Sequence, residues 1–186
     1  MPIDMKILVI ESSPRKKGNS NILAESFIKG AREAGHEVNE FDCGRSNIKG
    51  CLACNGCIRT GKCVQKDGYE ELVPLFIEAD VVVFVTPIYY FSCSAQLKAV
   101  IDRFYGIYFG ENKDNPKLFN KRSVLITAQG QPSLNYASPT IEMYKDIVNF
   151  HKWQDAGHVH ALGIIEPGAV SETRYPQEAY ELGKNL

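Results

Sequence analysis

The 186-residue chain has no excess of charge of either sign, no long apolar run and no internal repeat. Its 21 lysines and arginines nearly balance its 22 aspartates and glutamates, and the resulting net charge of −1 argues against a protein that binds nucleic acid. No apolar stretch approaches the roughly 20 residues that a membrane-spanning helix needs, and no stretch near the N-terminus has the form of a signal peptide. We therefore expect a cytoplasmic protein with no membrane or nucleic-acid partner, folded as one domain over residues 1–186.

Two common phosphate-binding motifs are missing as well. The dinucleotide motif G-x-G-x-x-G is absent, because Gly18 stands alone in the first turn. The segment 56–63 has the spacing of a P-loop, but Cys63 stands where a Ser or Thr would bind magnesium, and no buried strand precedes it. The first turn also lacks the cysteine that a phosphotyrosine phosphatase would use as its nucleophile. Any phosphate would therefore bind through a different arrangement.

The chain does contain a regular alternation of apolar strands and amphipathic helices. Apolar runs predict strands at residues 5–10, 37–41, 80–86, 123–128 and 159–165. Apolar residues at helical spacing predict a helix capped by Asn19 or Ser20, a second at 72–79, a third starting near Ser94, and two more at 139–151 and 175–184. This alternation indicates an α/β fold, a flavodoxin-like, doubly wound sheet of five parallel strands with helices on both faces.

The first strand leads into a turn that combines hydroxyl groups, an amide and three cations. In a strand–turn–helix unit, the free backbone N–H groups of the helix and the helix dipole both favour an anion. The turn would then bind a phosphate; the alternative is an ordinary polar turn whose cations are solvated. The candidate phosphate-binding residues are Ser12, Ser13, Arg15, Lys17, Asn19 and Ser20.

The loop after the third strand carries three consecutive aromatic residues between Pro87 and Ser92. Such a group suits a flat conjugated ligand, although aromatic residues also pack beneath a following helix or at a subunit contact. Because the carboxyl ends of parallel strands meet at one edge, this loop and the first turn would share a site, and together they favour flavin mononucleotide (FMN). Amides in the loop after the fourth strand could hydrogen-bond the ring. The candidate ring-binding residues are Pro87, Ile88, Tyr89, Tyr90, Phe91, Ser92, Gln129 and Gly130.

Three segments of the sequence resemble the NAD(P)H-dependent FMN reductase and iron–sulfur flavoprotein family, namely residues 13–20, 86–90 and 94–103. The resemblance implies a flavodoxin-like fold, FMN with its phosphate in the first turn, NAD(P)H as co-substrate, and a homodimer or homotetramer. Two positions depart from the family pattern. Ser12 stands where the family usually has glycine, and Gly68 replaces the second acid of a usual Asp-Asp pair.

A cysteine-rich insertion occupies residues 43–68, and cytoplasmic cysteines more often bind metals or act in catalysis than form disulfides. Cys51, Cys54, Cys57 and Cys63 have the spacing C-x2-C-x2-C-x5-C, which matches the start of the run that holds a cuboidal cluster in bacterial ferredoxins. A structural zinc site, which more often uses two separated C-x2-C pairs, and metal-free thiols are the alternatives. By resemblance, the same array marks the iron–sulfur flavoproteins, where it holds a four-iron four-sulfur cluster. Nearby lysines would offset the charge of a cluster or lie in solvent.

The chain shows no nucleophile–base pair and no histidine ligand motif, although His158 and His160 would share one face of a strand. These absences fit flavin chemistry, in which the cofactor carries the electrons. We predict an FMN-dependent oxidoreductase that takes a hydride from NAD(P)H and passes electrons to a small-molecule or protein acceptor. If the cysteine array holds a four-iron cluster, the cluster would serve as a further carrier. The alternative is a non-enzymatic FMN electron carrier serving a protein partner, against which the even charge balance argues.

Overall fold

Five parallel strands form one sheet in the computed structural model, which describes residues 4–186. The strands are β1 (Lys6–Glu11), β2 (Glu37–Asp42), β3 (Val81–Pro87), β4 (Arg122–Ala128) and β5 (Gln154–Ala161). They are ordered β2-β1-β3-β4-β5, and each neighbouring pair is parallel. The strand order therefore reverses between β1 and β3, which confirms the predicted flavodoxin-like, doubly wound sheet.

Helices connect the strands and cover both faces of the sheet. They are α1 (Asn19–Glu33), α2 (Gly56–Thr60), α3 (Tyr69–Glu78), α4 (Ala95–Asp102), α5 (Phe104–Phe109), α6 (Ser138–Phe150) and α7 (Tyr175–Lys184). Short 3₁₀ helices lie at Pro116–Leu118, Leu134–Ala137 and Ala169–Glu172. Within residues 4–186, no helix has the length and apolarity needed to cross a membrane.

Two apolar cores lie on opposite faces of the sheet, because successive side chains of a strand alternate between its faces. Val82 and Phe84 of β3 face the core beneath α3, α4, α5 and α6, whereas Val81 and Val83 face the core beneath α1 and α7. The whole of β3 is buried, which explains why its sequence is a continuous apolar run rather than an alternating one. The two cores confirm the prediction of helices on both faces.

The helices α1 and α7 bring their backbones into direct contact at two glycines. A Cβ atom at Gly30 would lie 2.0 Å from the carbonyl oxygen of Tyr180, and a Cβ atom at Gly183 would lie 2.2 Å from the carbonyl oxygen of Phe27. No larger residue fits at either position without moving a backbone. This contact therefore fixes where α1 lies against the sheet.

Some element boundaries differ from the sequence prediction. The strand β5 covers Gln154–Ala161 rather than residues 159–165. Its first half, Gln154 to Gly157, has no large apolar residue, since β5 lies at the edge of the sheet. Pairing with β4, and not an apolar run, therefore marks where this strand starts. The prediction that Asn19 or Ser20 caps α1 is wrong, since Gly18 occupies the N-cap position and no side chain caps this helix. The short helices α2 and α5 have five and six residues, too few for sequence periodicity to reveal.

Candidate functional site

The carboxyl ends of β1, β3 and β4 meet at one edge of the sheet, beside the point where the strand order reverses. Glu11 of β1 is level with Val85 of β3, and Pro87 of β3 is level with Ala128 of β4. The loop after β3 is joined to β4 by a hydrogen bond of 2.9 Å from the N–H of Ile88 to the carbonyl of Ala128. The three loops that the sequence assigned to one site therefore lie together, where doubly wound sheets bind ligands.

Ser12 has a structural role at this edge. The residue is fully buried, and both its N–H and its hydroxyl donate to the carbonyl oxygen of Val85, at 3.1 and 2.9 Å. Its own carbonyl accepts a hydrogen bond of 3.1 Å from the hydroxyl of Ser94, the N-cap of α4. Ser12 therefore ties the first turn to β3 and α4, so its hydroxyl is already engaged.

Ser13 and Gly18 shape the first turn into a compact cradle. The hydroxyl of Ser13 accepts a hydrogen bond of 3.2 Å from the N–H of Arg15, and the N–H of Gly18 donates to the carbonyl of Arg15 at 3.1 Å. A Cβ atom at Gly18 would lie 2.7 Å from the Ser13 hydroxyl oxygen, so only glycine fits without disturbing this serine. The first N–H groups of α1 have no acceptor within the helix, and with the helix dipole they favour an anion here.

The polar side chains of the first turn divide into exposed and engaged groups. Arg15 and Lys17 are exposed, whereas Ser20 is buried in the first turn of α1. The amide nitrogen of Asn19 donates to the carbonyl of Glu166 at 3.0 Å, and its oxygen accepts a backbone N–H of the same segment at 3.3 Å. Asn19 therefore joins the first turn to the segment after β5, a contact that the sequence did not indicate.

Tyr89 and Ser92 close a tight turn at the end of β3. They exchange backbone hydrogen bonds of 2.9 and 3.1 Å, and the residues between them, Tyr90 and Phe91, have φ angles of +49° and +69°. Bulky side chains rarely adopt this left-handed conformation. Tyr90 is 97% exposed, so the turn presents aromatic surface outward instead of packing it beneath the next helix. Such a strained and exposed aromatic turn indicates a functional role.

Tyr136 extends this aromatic surface. It lies in the 3₁₀ helix Leu134–Ala137 after β4, and its ring stacks on that of Phe91 with centroids 5.6 Å apart and 16° between the planes. The sequence analysis did not single out Tyr136, and the available signal was an aromatic residue in the loop after β4. The stacked pair joins the loops after β3 and β4.

Gln129 begins the loop after β4 and is buried. Its amide nitrogen donates to the carbonyls of Gln131 and Ser133, at 2.8 and 2.7 Å. Its amide oxygen is also buried but finds no partner in the described part of the chain. A buried acceptor without a donor is unfavourable, so this oxygen suits the N–H group of a bound heterocycle. Gly130 follows, and a Cβ atom there would lie 3.3 Å from the side chain of Ile165.

FMN has the three chemical features that this edge of the sheet accommodates. Its phosphate suits the cradle at Gly18, where the first N–H groups of α1 have no acceptor within the helix and no side chain caps them. Its flat ring suits the aromatic turn, and a polar ring N–H suits the unpaired oxygen of Gln129. The residues present therefore fit FMN.

Glu11, the last residue of β1, is a titratable group at the same edge. The pKa of its carboxyl is raised to about 7, first by burial and then by the carboxylates of Glu40 and Asp42, against a hydrogen bond from Asn21 that lowers it. That hydrogen bond is 2.8 Å long. This edge therefore carries a carboxyl that can hold or release a proton near neutral pH. The sequence analysis did not single out Glu11. The signal that could have identified it was an acidic residue at the end of a largely apolar strand.

The four cysteines of the predicted array line one cavity of about 330 Å³. Cys57 lies in α2, and the other three lie in the irregular segments on either side. Ala53 and Asn55 have φ angles of +51° and +52°, and the N–H of Ala53 donates to Cys51 Sγ at 3.4 Å. The backbone is therefore bent around the cavity, with one N–H already directed at a sulfur.

The arrangement of these thiols can be compared with what each metal group requires. Within residues 4–186, no three His, Cys, Asp or Glu side chains converge closely enough to hold a single metal ion, as a structural zinc requires. The cysteines of a cuboidal cluster bind different irons, so they surround a volume rather than a point. The four cysteines line one such volume.

Arg103 and Asp67 form a buried ion pair against the array. One nitrogen of Arg103 donates to both carboxylate oxygens of Asp67, at 2.8 and 2.7 Å, and another donates to Cys63 Sγ at 3.3 Å. The guanidinium also lies over the ring of Tyr69, 4.1 Å from its centroid. Burial alone would raise the pKa of Asp67, but hydrogen bonds from Arg103 and from the backbone hold it below its usual value.

The sequence analysis did not give Asp67 or Arg103 a role. Asp67 is the acid that remains next to Gly68, and Arg103 ends one of the segments that carry the family resemblance. These two positions were the signal in the sequence that could have identified Asp67 and Arg103. Their side chains are only 8% and 1% exposed, so the pair anchors the insertion to the end of α4.

Glycines let the cysteine-rich insertion approach α5 closely. The N–H of Glu111 donates to the carbonyl of Gly61 at 2.9 Å, and a Cβ atom at Gly110 would lie 2.5 Å from that carbonyl oxygen. A Cβ atom at Gly106 would lie 3.3 Å from the Cβ of Cys57. Gly106 within α5 and Gly110 directly after it therefore let the insertion, with Cys57, lie against this helix.

His158 and His160 lie on one face of β5, and their rings stack with centroids 4.9 Å apart. The Nδ1 atom of His160 lies 2.8 Å from the hydroxyl of Thr127. The pKa of His160 is lowered to about 4, first by burial and then by His158. His160 is therefore uncharged near pH 7, and the two histidines belong to the packing of β5 against β4.

Comparison with known proteins adds relatives to this geometry. Residues 5–186 match a family described by its flavodoxin-like fold. An iron–sulfur flavoprotein of Archaeoglobus fulgidus is 37% identical over 184 residues, which cover 98% of this chain and 79% of that protein. An iron–sulfur flavoprotein of Methanocaldococcus jannaschii is 34% identical over 127 residues, which cover 68% of this chain and 62% of that protein, less than two thirds of its length.

Among solved structures, an NAD(P)H:quinone oxidoreductase from Methanothermobacter marburgensis is similar to this chain with a TM-score of 0.77. The two share 22% identity, and the match covers 98% of this chain and 96% of the other. An azoreductase is similar with a TM-score of 0.69 at 19% identity, over 97% of this chain and 100% of its own. These two likenesses show the fold.

Proposed function

This chain belongs to the flavodoxin-like family that includes the iron–sulfur flavoproteins, and on that premise we propose that it is an FMN-dependent oxidoreductase. In this proposal the protein takes a hydride from NAD(P)H and passes electrons to a second acceptor, a small molecule or a protein, with a four-iron four-sulfur cluster as a further carrier. When bound, FMN supplies the exchange between hydride and single electrons, and the cluster carries electrons singly. The observation that carries the proposal is the meeting of an anion cradle and an aromatic turn at one sheet edge.

The first turn would bind the FMN phosphate mainly through its backbone. The cradle beside Gly18 offers the N–H groups of the first turn of α1, which have no acceptor within the helix. Ser13 shapes this cradle through its hydrogen bond with the N–H of Arg15 and its close approach to Gly18. Arg15 and Lys17 are exposed next to it, where their charges would neutralise the phosphate. Asn19 would act indirectly, by holding the turn against the segment after β5.

The loop after β3 would lie along the ring. Pro87 restricts the backbone, and the hydrogen bond from Ile88 to β4 holds the loop in place. The aromatic side chains from Tyr89 to Phe91 would exclude water from the ring, and the free oxygen of Gln129 would accept a hydrogen bond from its polar edge. These residues orient the ring and leave the redox chemistry to it.

The cysteines of the array would hold the cluster as thiolates. Support for this comes from the cavity that all four line and from the N–H of Ala53 directed at Cys51. The iron–sulfur flavoprotein name of the relative with 37% identity supports the same assignment. Arg103 would offset part of the negative charge from inside the protein.

The exposed aromatic turn supports assembly into a homodimer or homotetramer. Tyr90 stands almost entirely in water in the single chain, and exposed apolar surface of this kind commonly marks a contact. In the assembly that we propose, a second copy covers the turn and closes the open side of the ring site.

The first test is the visible absorption spectrum of protein purified without oxygen, with FMN, iron and zinc counted on the same sample. We expect flavin bands beneath a broad absorbance and about four irons per chain, as a cuboidal cluster requires. Addition of NADH or NADPH should then bleach the flavin bands. Bleaching by dithionite but by neither nicotinamide would indicate the electron carrier instead, and a protein that binds no FMN would refute the proposal.

A further inference from the structure

A buried cation stands beside the cysteine cavity. Arg103 is 2% exposed, and its guanidinium donates to Cys63 Sγ at 3.3 Å. The lysines of the insertion are placed differently, because Lys62 and Lys66 are 70% and 74% exposed. Arg59, which donates to the carbonyl of Cys54 at 3.2 Å, and Asp102, which lines the cavity, are exposed as well. Water and salt screen exposed charges strongly, so a buried cation such as Arg103 acts on the cavity with less screening than these groups.

Asp67 holds this cation and opposes its charge. Both carboxylate oxygens accept from the same Arg103 nitrogen, and the backbone N–H groups of Lys49 and Tyr69 donate to them at 3.1 and 3.2 Å. The carboxylate is therefore fixed at a different nitrogen of the guanidinium from the one that reaches Cys63. The array faces a fixed dipole with its positive end toward a sulfur.

Two buried polar atoms at this place have no partner. The Nε atom of Arg103 and the hydroxyl of Tyr69 make no hydrogen bond within the described residues, although both atoms are inaccessible to solvent. Tyr69 is 2% exposed and supports the guanidinium with its ring at 4.1 Å. Unmet buried donors are unfavourable, so Arg103 and Tyr69 are held here at some cost in stability.

We propose that Arg103 is a positioning residue that sets the reduction potential of the iron–sulfur group held by the cysteines, with Asp67 moderating it. This inference rests on the proposed function. Reduction adds one electron to the group and makes it more negative, so a cationic donor to a ligand sulfur stabilises the reduced form more than the oxidised form. Asp67 places a negative charge behind that donor and weakens the effect.

The two residues therefore have effects of opposite sign. Arg103→Gln removes the cation, and we expect the ratio of reduced to oxidised group at a given potential to fall about tenfold, which is a shift of about −59 mV for one electron. Asp67→Asn keeps the shape of the side chain and removes the opposing charge, so the midpoint should rise. Damage to the fold would instead move both variants in the same direction.

The experiment is a redox titration of the intact protein, purified without oxygen and with its iron and FMN counted. Dithionite supplies the electrons, and the cluster absorbance reports the midpoint potential. Lys62→Gln is the matched control, since it removes an exposed cation next to Cys63 and should shift the midpoint by less than a third as much. Arg103→Lys keeps the charge but loses the planar fork, and its midpoint should lie between those of the wild type and Arg103→Gln.

Each outcome decides between the alternatives. Opposite shifts for the Arg103 and Asp67 variants support the inference. Shifts of the same sign, or none, in variants that keep their iron overturn it and leave the proposed function intact. If Arg103→Gln loses its iron, the midpoint shifts of Asp67→Asn and Arg103→Lys are compared instead. A rise for Asp67→Asn with a fall for Arg103→Lys supports the inference, and any other combination overturns it. Wild-type protein without iron overturns both the cluster and the inference, while bound FMN would still support the flavin site.

Discussion

Phe91 stacks on Tyr136 while its own backbone is held in the left-handed region at a φ of +69°. A backbone conformation of this kind costs about 1–3 kcal/mol for a residue other than glycine. An aromatic pair contributes only about 0.5–1.5 kcal/mol beyond its burial, so the stack does not fully offset the strain. The turn therefore keeps its aromatic residues at a net cost to stability, as expected for a turn retained for binding.

Replacement of Tyr90 by Asn together with Phe91 by Gly should stabilise the protein and weaken FMN binding. Asn-Gly is the favoured pair for a tight turn with two positive φ angles, so we expect the unfolding free energy to rise by about 1–2 kcal/mol. FMN affinity should fall, because the aromatic surface is lost. Denaturant unfolding and FMN titration measure the two effects.

The matched control for this turn is Lys152→Gly, since Lys152 has a φ of +56° in the turn between α6 and β5. It should stabilise the protein without changing FMN affinity. Unchanged FMN affinity in the turn variant would show that the aromatic residues do not contact the ring.

Gly18→Ala should weaken FMN binding by at least about tenfold. The added Cβ atom would lie 2.7 Å from the Ser13 hydroxyl, which must then leave its hydrogen bond with Arg15 and distort the cradle. Gly50→Ala is the control, because a Cβ atom there meets nothing within 4 Å. Equal affinities for the two variants, measured by fluorescence titration with FMN, would rule out the cradle as the phosphate site.

Glu11→Gln should flatten the dependence of stability on pH. The carboxyl has its pKa raised from 4.5 to about 7 in the folded protein, so between these values the folded state binds more protons than the unfolded state. Stability should therefore fall as the pH rises from 5 to 7, by about 1 kcal/mol after allowance for solvent screening. Denaturant titrations of the apoprotein at pH 5, 6, 7 and 8 measure this decline.

In Glu11→Gln, the fall in the unfolding free energy between pH 5 and 7 should be smaller by about 1 kcal/mol, because the titrating carboxyl is gone. Glu142→Gln is the control, since Glu142 is exposed on α6 and pairs with the exposed Lys145. A pH profile that Glu11→Gln leaves unchanged would mean that Glu11 titrates normally.

Joint replacement of Cys54 and Cys57 by Ala should remove iron and leave FMN bound. The FMN cradle and aromatic turn belong to the loops after β1 and β3, whereas these cysteines belong to the separate insertion. Iron analysis and the flavin spectrum of the same sample measure the two occupancies. Cys43→Ala should keep its iron, because Cys43 is buried in the core outside the array. Loss of FMN together with iron would show that the array supports the whole fold.

The central sheet could be predicted because its signal is local. The apolar run of β3 marks a strand buried on both faces, and the carboxyl ends of parallel strands then place the first turn and the aromatic loop together. The start of β5 could not be found in this way. Its first residues, Gln154 and Asp155, are polar and become part of a strand only through pairing with β4.

The side-chain partners were less accessible to sequence reasoning. Asn19 has the chemistry of a phosphate ligand or a helix cap, yet its amide bonds a carbonyl 147 residues away. Arg103 and Asp67 are 36 residues apart, and no periodicity connects them. Such contacts arise from the packing of finished elements, so composition and spacing carry little information about them.

The close contact of α1 with α7 makes the two ends of α1 interdependent. Its first turn forms the phosphate cradle, and Gly30, about 18 Å further along the helix, touches the backbone of α7. A larger residue at Gly30 or Gly183 must push α1 along or away from the sheet, and the cradle would move with it. A colony screen for loss of the yellow flavin colour should therefore recover substitutions at Gly30 and Gly183 as well as at Gly18, so that remote helix-packing mutants would look like cofactor mutants.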